Sequence, residues 1–359
     1  MKFGLLYEMQ TPKPWNERSE YDIYHQALDQ IVLGEEIGLQ YVWEVEHHFL
    51  SEYSHSSAPE VFLGAVSQRT EKIRIGQGVA LLPCNFNHPV RVAERAAVLD
   101  IMSKGRLEFG TGRSITREEL EGFGIDPKDS KPMWEEAVEL IPRMWMEDPF
   151  SCDGKYCKVP PRSIHPKPIQ KPHPPLWAAA TQPMTFTQAG ERGMGALCFG
   201  YNAPADLEKS VQAYCDAVKK PARPVGKFVN RNIGALTVMY CEKTDAGALK
   251  LGVSAAMFFV DSGLRLFRPW YGKDTPGYEF YSHLRSDIVD PLKVKRPIDL
   301  TKNGTILVGA PGTINDAIEL YDKIGVTQMV MLVQAGRLPH DKIMESLKLF
   351  GKEVLPSWQ

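Results

Sequence analysis

Glu44, Glu46, His47 and His48 crowd one short stretch and are followed by Phe49. Histidine titrates near neutral pH and can give or take a proton, while a neighbouring carboxylate fixes its tautomer and raises its basicity. The same residue types could ligate a metal or could serve only as hydrogen-bonding groups at a strand end. Adjacent histidines diverge in an extended chain, and no helical HExxH spacing is present, so a metal is not expected. Proton chemistry is the reading these residues favour.

A second constellation suggests an anion site. Thr181-Gln182-Pro183 reads as a helix start, with a hydroxyl at the cap and proline in the first turn. The N–H groups and the dipole of such a terminus favour a phosphate, and Arg113 could hold the same group bidentately. Together they suggest a phosphorylated cofactor. The Cys152-x4-Cys157 pair lacks the second half of a zinc site. Residues 309–313, Gly-Ala-Pro-Gly-Thr, lack the Lys-Ser/Thr of a P-loop and read as a turn with Thr313 capping a helix.

These residues need a scaffold that brings them to one face. Apolar patterning predicts strands at 2–7, 41–43, 73–82, 107–111, 176–179, 196–199, 233–240 and 328–333. Helical periods fall at 21–38, 58–67, 90–102, 132–146, 183–193, 203–218, 246–260, 313–324 and 341–355. Eight strands, each followed by a helix or a helix-sized segment, close most simply as an α/β fold, a (β/α)₈ TIM barrel, with the active site at the C-terminal strand ends. Polar residues gather there after strands two, three, four and five. A doubly wound sheet would place a glycine-rich turn after the first strand, where this chain reads Glu8-Met9-Gln10-Thr11-Pro12. One domain, 1–359, is expected, with an insertion at 148–175 and an aromatic-rich lid at 261–300.

The 359 residues are 43% hydrophobic and 24% charged, which excludes a disordered chain or a membrane bundle. A net charge of -2 gives no electrostatic reason to bind nucleic acid or anionic lipid. The six cysteines are sparse and read as reduced thiols, no secretory signal opens the chain, and no apolar run nears the ~20 residues of a membrane helix. The expectation is a cytoplasmic protein bound to neither nucleic acid nor membrane.

Several motifs together resemble the bacterial luciferase-like, flavin-dependent monooxygenases of the luciferase α-subunit type. They are Met1-Lys2-Phe3-Gly4, Glu46-His47-His48-Phe49, His88-Pro89-Val90-Arg91, Met102-Ser103-Lys104-Gly105-Arg106, Phe109-Gly110 with Arg113, and Ser346-Leu347-Lys348-Leu349-Phe350. The resemblance spans nearly the whole chain and implies reduced FMN, supplied by a separate flavin reductase, and O₂. Chemistry would run through a flavin hydroperoxide that oxygenates a small apolar or aromatic substrate.

Carried over residue by residue, the resemblance makes His47 the catalytic histidine, oriented by Glu44 or Glu46 and supported by His48. Arg113, Thr181 and Thr185 would hold the flavin phosphate, and Val79 and Ala80 would lie beside the isoalloxazine ring, often at a strained peptide bond. It also implies a homodimer through residues 58–67 and 90–102, where Ala93, Ala96 and Ala97 would let helices approach. Gly112 stands where luciferase has a reactive cysteine, which argues against light emission. The alternatives are a deazaflavin-dependent dehydrogenase on the same fold and a non-catalytic flavin-binding protein.

Overall fold

In a computed structural model, which describes residues 1–198, 203–282 and 297–358, eight parallel strands close into a barrel. They are β1 Lys2–Tyr7, β2 Tyr41–Glu44, β3 Arg74–Leu81, β4 Leu107–Gly112, β7 Leu176–Ala179, β8 Gly195–Cys198, β9 Ile233–Cys241 and β11 Gln328–Leu332. The ring closes where β11 pairs with both β9 and β1, Gly4 lying opposite Val330 on one side and Tyr41 on the other. The expected (β/α)₈ barrel is therefore present. An additional strand, β10 (Leu307–Gly309), pairs with Met239–Cys241. At three residues it is too short to show a period, and sequence patterning misses it.

The outer helices are α1 Ser19–Glu36, α2 Pro59–Arg69, α3 Pro89–Met102, α4 Arg117–Gly122, α5 Pro127–Met146, α6 Pro183–Glu191, α7 Pro204–Lys219, α8 Asp245–Phe267, α9 Glu279–Ser282, α10 Pro297–Lys302, α11 Pro311–Lys323 and α12 His340–Glu353. Helix α11 begins at Pro311, so Thr313 is not its cap; its hydroxyl donates to Asp245 instead.

Strand alternation sorts the apolar residues into two layers. Phe3, Leu5, Tyr7, Val42 and Ile75 face the helices, whereas Leu6, Trp43, Val45, Trp177, Leu197, Leu236 and Val330 fill the barrel interior. Trp43 and Trp177 meet edge to face there, with ring centroids 5.2 Å apart. Two glycines make that pair possible: a Cβ on Gly76 would lie 2.1 Å from the Trp43 ring, and one on Gly195 would lie 2.5 Å from Trp177.

The insertion at 148–175 contains an antiparallel hairpin, β5 (Phe150–Asp153) with β6 (Lys158–Arg162), that brings the Cys152 and Cys157 sulfurs to 3.9 Å. Sequence patterning ends the seventh barrel helix near residue 260, but α8 continues to Phe267 because Val260, Gly263, Leu264 and Phe267 keep a helical spacing through a glycine that packing tolerates. Residues 245–270 are long and apolar enough to cross a membrane by length and composition. In the barrel this helix buries Gly252, Ala255, Ala256 and Phe259. Of the expected lid, 283–296 lies outside the described residues. Its earlier part folds as an aromatic cluster in which Trp270 stacks on Tyr278 at 4.3 Å, Phe267 stacks on Tyr281 at 5.0 Å, and the Trp270 indole donates to the carbonyl of Ile115.

Candidate active site

A cavity of about 880 Å³ opens at the C-terminal ends of the strands. That is the barrel face where catalytic residues collect. Its walls come from the ends of β1 (Glu8), β2 (Glu46, His47), β3 (Gly78, Val79), β4 (Gly112, Arg113) and β7 (Ala179, Thr181), with Phe267 of α8 and Tyr281 of α9.

His47 sits between two carboxylates. Its Nδ1 is 2.9 Å from Glu119 Oε1, and its Nε2 is 3.7 Å from Glu8 Oε2. Burial alone would lower its pKa, but the charge and hydrogen bond of Glu119, followed by the charges of Glu8 and Glu46, raise it to about 9. At neutral pH His47 is therefore an imidazolium, a proton donor. Glu119 is itself fixed: its second oxygen accepts from the hydroxyls of Ser114 and Thr116, both at 2.6 Å, and its first also accepts the His48 N–H. Burial pulls the Glu119 pKa up, but His47 and the two hydroxyls outweigh it and hold the group below its ordinary range. Glu8 is the reverse case. Burial raises it to about 7 against the lowering effects of His47 and Tyr53.

The carboxylates expected to orient His47 do not do so. Alternation turns Trp43, Val45 and His47 inward and Glu44 to the outer side of the strand. Glu44 is buried there and accepts from Ser56, and burial pushes its carboxyl well above the usual range, so its role is structural. Glu46 lines the cavity but binds the Leu81 N–H, Asn87 and His48, reaching His47 only through space. His48 faces away from the cavity, against Phe86 and Phe123.

The opposite part of the cavity suits a phosphorylated ring system. Val79 lines it, whereas Ala80 points into the helix-facing core because the two neighbours take opposite sides of β3. The peptide joining Gly78 to Val79 is cis, one residue before the position the resemblance suggests. Gly78, Gly112, Ala178 and Ala179 leave a wall almost without side chains; a Cβ on Gly112 would come within 2.5 Å of Val79. Arg113, Lys131, Thr181 and Thr185 line the same cavity. Two cations and two hydroxyls match an organic phosphate, and the bare wall matches a flat ring, so these residues fit FMN.

The cap of α6 is Gln182, not Thr181: the Gln182 N–H donates to Thr185 Oγ1, whose hydroxyl donates back to the Gln182 carbonyl. Thr181 pairs with the Tyr281 hydroxyl at 2.8 Å. Arg113 donates to Ser130 and to the carbonyl of Gly277 and lies over the Tyr278 ring, so it ties α5 to the lid.

Glu8, Glu119, Lys131 and Tyr53 escape the sequence reading. Glu8 carried a signal, since Gly4, Leu6 and Glu8 share the inward face of β1. For Glu119 the signal was the Thr116-x-x-Glu119 spacing of a capping box. Thr116 does cap α4 by accepting the Glu119 N–H. Only the fold reveals that the same carboxylate then reaches His47, 72 residues away.

Comparison with known proteins agrees with this architecture. The pattern of the luciferase-like monooxygenase family matches residues 1–328. Limonene 1,2-monooxygenase of Rhodococcus erythropolis is 27% identical over 355 residues, covering 96% of this chain and 84% of that one. The oxygenase component of the flavin-dependent trigonelline monooxygenase of Acinetobacter baylyi is 22% identical, covering 100% and 96%. The crystal structure of the monooxygenase RslO1 from Streptomyces bottropensis superposes with a TM-score of 0.81 at 25% identity, covering all of both chains. With the closed barrel, the mouth cavity and a family match over most of its length, this chain belongs to the luciferase-like monooxygenase family.

Proposed function

We propose that the protein is a monooxygenase that uses reduced FMN and O₂ to oxygenate a small apolar or aromatic organic substrate. The observation that carries this reading is the doubly carboxylate-flanked His47 on the wall of a cavity that Arg113 and Lys131 also line. Reduced FMN, delivered by a separate flavin reductase, supplies the electrons that activate O₂.

The chain's own residues bind, orient and protect. Arg113, Lys131, Thr181 and Thr185 hold the phosphate, and Gly78, Val79, Gly112 and Ala179 admit the ring. The imidazolium of His47 presents its Nε2 proton to the bound substrate, and Glu119 keeps it charged and aimed. Glu46 fixes the β3 backbone by accepting the Leu81 N–H. The aromatic lid excludes water. The protein acts in the cytoplasm as a homodimer through α2 and α3, where Val61, Val98, Ile101 and Met102 are exposed.

Supplying purified protein with reduced FMN, isotopically labelled O₂ and a panel of arenes and terpenes tests the reading. Label should enter a product, and His47→Ala should lower product formation by about 100-fold while H₂O₂ release rises and FMN affinity stays within a few-fold. Unchanged product yield in His47→Ala overturns the role of His47. Substrate oxidation that reduces an oxidised deazaflavin, with no O₂ consumption, replaces the monooxygenase with a dehydrogenase.

A further inference from the structure

Glu8 is 2% exposed and lines the cavity at the end of β1. Its Oε1 accepts from the Tyr53 hydroxyl at 3.3 Å, while Oε2 has no hydrogen-bond partner among the described residues. A buried carboxylate oxygen left without a donor is costly, so the site favours a ligand that brings one. Beside it, 3.7 Å away, lies His47 Nε2, an N–H donor when the ring is charged. The pair offers one acceptor and one donor within reach of a single ligand atom.

A hydroxyl oxygen fills both roles, donating its hydrogen to the carboxylate and accepting from the imidazolium. Above about pH 7, where Glu8 is ionised, a carbonyl or ether oxygen satisfies only His47, and an ammonium only Glu8. The surroundings define the rest of the ligand. Tyr53 stacks on Phe259 with ring centroids 5.8 Å apart, and Leu236, Phe259, Leu264 and Leu300 line the same cavity. In the strand order β1 stands four places from β7, diametrically across the ring from Thr181. The carboxylate therefore faces Thr181 across the mouth, which leaves the β1 side for substrate.

We infer that the substrate is a hydroxyarene, bound with its hydroxyl between Glu8 and His47 and its ring against the Tyr53–Phe259 wall. This deepens the proposed function and rests on it for the chemistry, although the recognition itself needs no cofactor. Glu8 selects the hydroxyl, and the apolar wall selects the ring. Substrates in which the hydroxyl is methylated lose the bond to Glu8 and strand its carboxylate.

Isothermal titration of the full-length protein with 2-naphthol and with 2-methoxynaphthalene tests this without any variant. The naphthol should bind at least about tenfold more tightly, and Glu8→Gln should reduce that ratio to within about threefold while leaving the affinity for the ether unchanged. Tyr53→Phe should weaken naphthol binding by a smaller factor. Equal affinity for the two ligands in the native protein, or no measurable naphthol binding, overturns the inference. FMN binding and O₂ consumption are measured in parallel: if they persist while the naphthol preference is absent, only the substrate assignment falls. A naphthol preference in a protein that binds no FMN leaves the hydroxyarene site and removes the monooxygenase reading.

Discussion

At His47 two carboxylates share one imidazole, and their effects on pH dependence can be worked out in sign. His47 has a folded pKa of about 9 against an ordinary 6.5, so it stabilises the fold fully below about pH 6.5 and that contribution is lost as pH rises through 9. Glu8, raised from 4.5 to about 7, favours its neutral form, so its burial costs stability progressively as pH climbs across that interval. Glu119, Glu8 and Glu46 are the charges that bear on the ring, and Tyr53 packs edge-on against it at 5.6 Å. Replacing Glu119 with Gln removes the largest raising influence. The His47 titration, followed by NMR, should then move down from about 9, and unfolding free energy should fall less between pH 7 and 10 than in the native protein. A titration midpoint that stays near 9 would contradict the assignment of Glu119 as the residue that keeps His47 charged.

Among the elements, α4 is short but carries Glu119, and its start depends on Thr116. Thr116→Ala removes the cap and one hydroxyl bonded to Glu119, and should cost about 1 kcal/mol in urea unfolding. It should also lower the His47 pKa, whereas a cap lost elsewhere, at Thr244 of α8, should leave His47 unmoved. The barrel interior is sensitive for a different reason. Gly76→Ala drives a methyl into the Trp43 ring and should destabilise by about 1–3 kcal/mol, read as a lower urea midpoint. The aromatic cluster proposed as a lid is anchored by Trp270, which is fully buried. Trp270→Ala should leave FMN affinity within a few-fold but raise H₂O₂ release per O₂ consumed, since the water-excluding cover is loosened. Coupling that matches the native protein would remove the lid from the mechanism.

Across the whole molecule, the dimer proposed above would form through α2 and α3. The alanines expected at a dimer contact are not there: Ala93, Ala96 and Ala97 are buried within the protomer, where the Trp145 indole donates to the Ala93 carbonyl at 2.9 Å. Their small size lets α5 pack closely on α3. The exposed apolar residues are Val61, Val98, Ile101 and Met102. Val98→Asp with Ile101→Asp should convert the dimer to a monomer in light scattering while leaving the barrel's circular dichroism unchanged. A native protein that elutes as a monomer would contradict the proposed interface.

The barrel was legible in the chain because a parallel strand buried on both faces leaves a short apolar run, and each strand recurs before a helix-sized segment. His47 and Arg113 were legible because polar residues at the ends of such runs have few structural reasons to be there. Composition and the loss of helical period marked the insertion at 148–175 and the aromatic-rich segment at 261–300, but not the pairing of β5 with β6. What local spacing could not contain was which carboxylate meets which imidazole. Glu44 and Glu46 are near His47 in sequence, but strand alternation turns Glu44 to the other side and ties Glu46 to the backbone of the next strand. Glu8 and Glu119, from separate turns of the chain, arrive beside His47 only when barrel closure brings the end of β1, the end of β2 and the helix that follows β4 to one mouth. The sequence alone determined the repeat and the kinds of group at the barrel mouth. The tertiary structure decided their pairing, and with it the charge on His47, because proton affinity depends on distances between groups that the chain order leaves free.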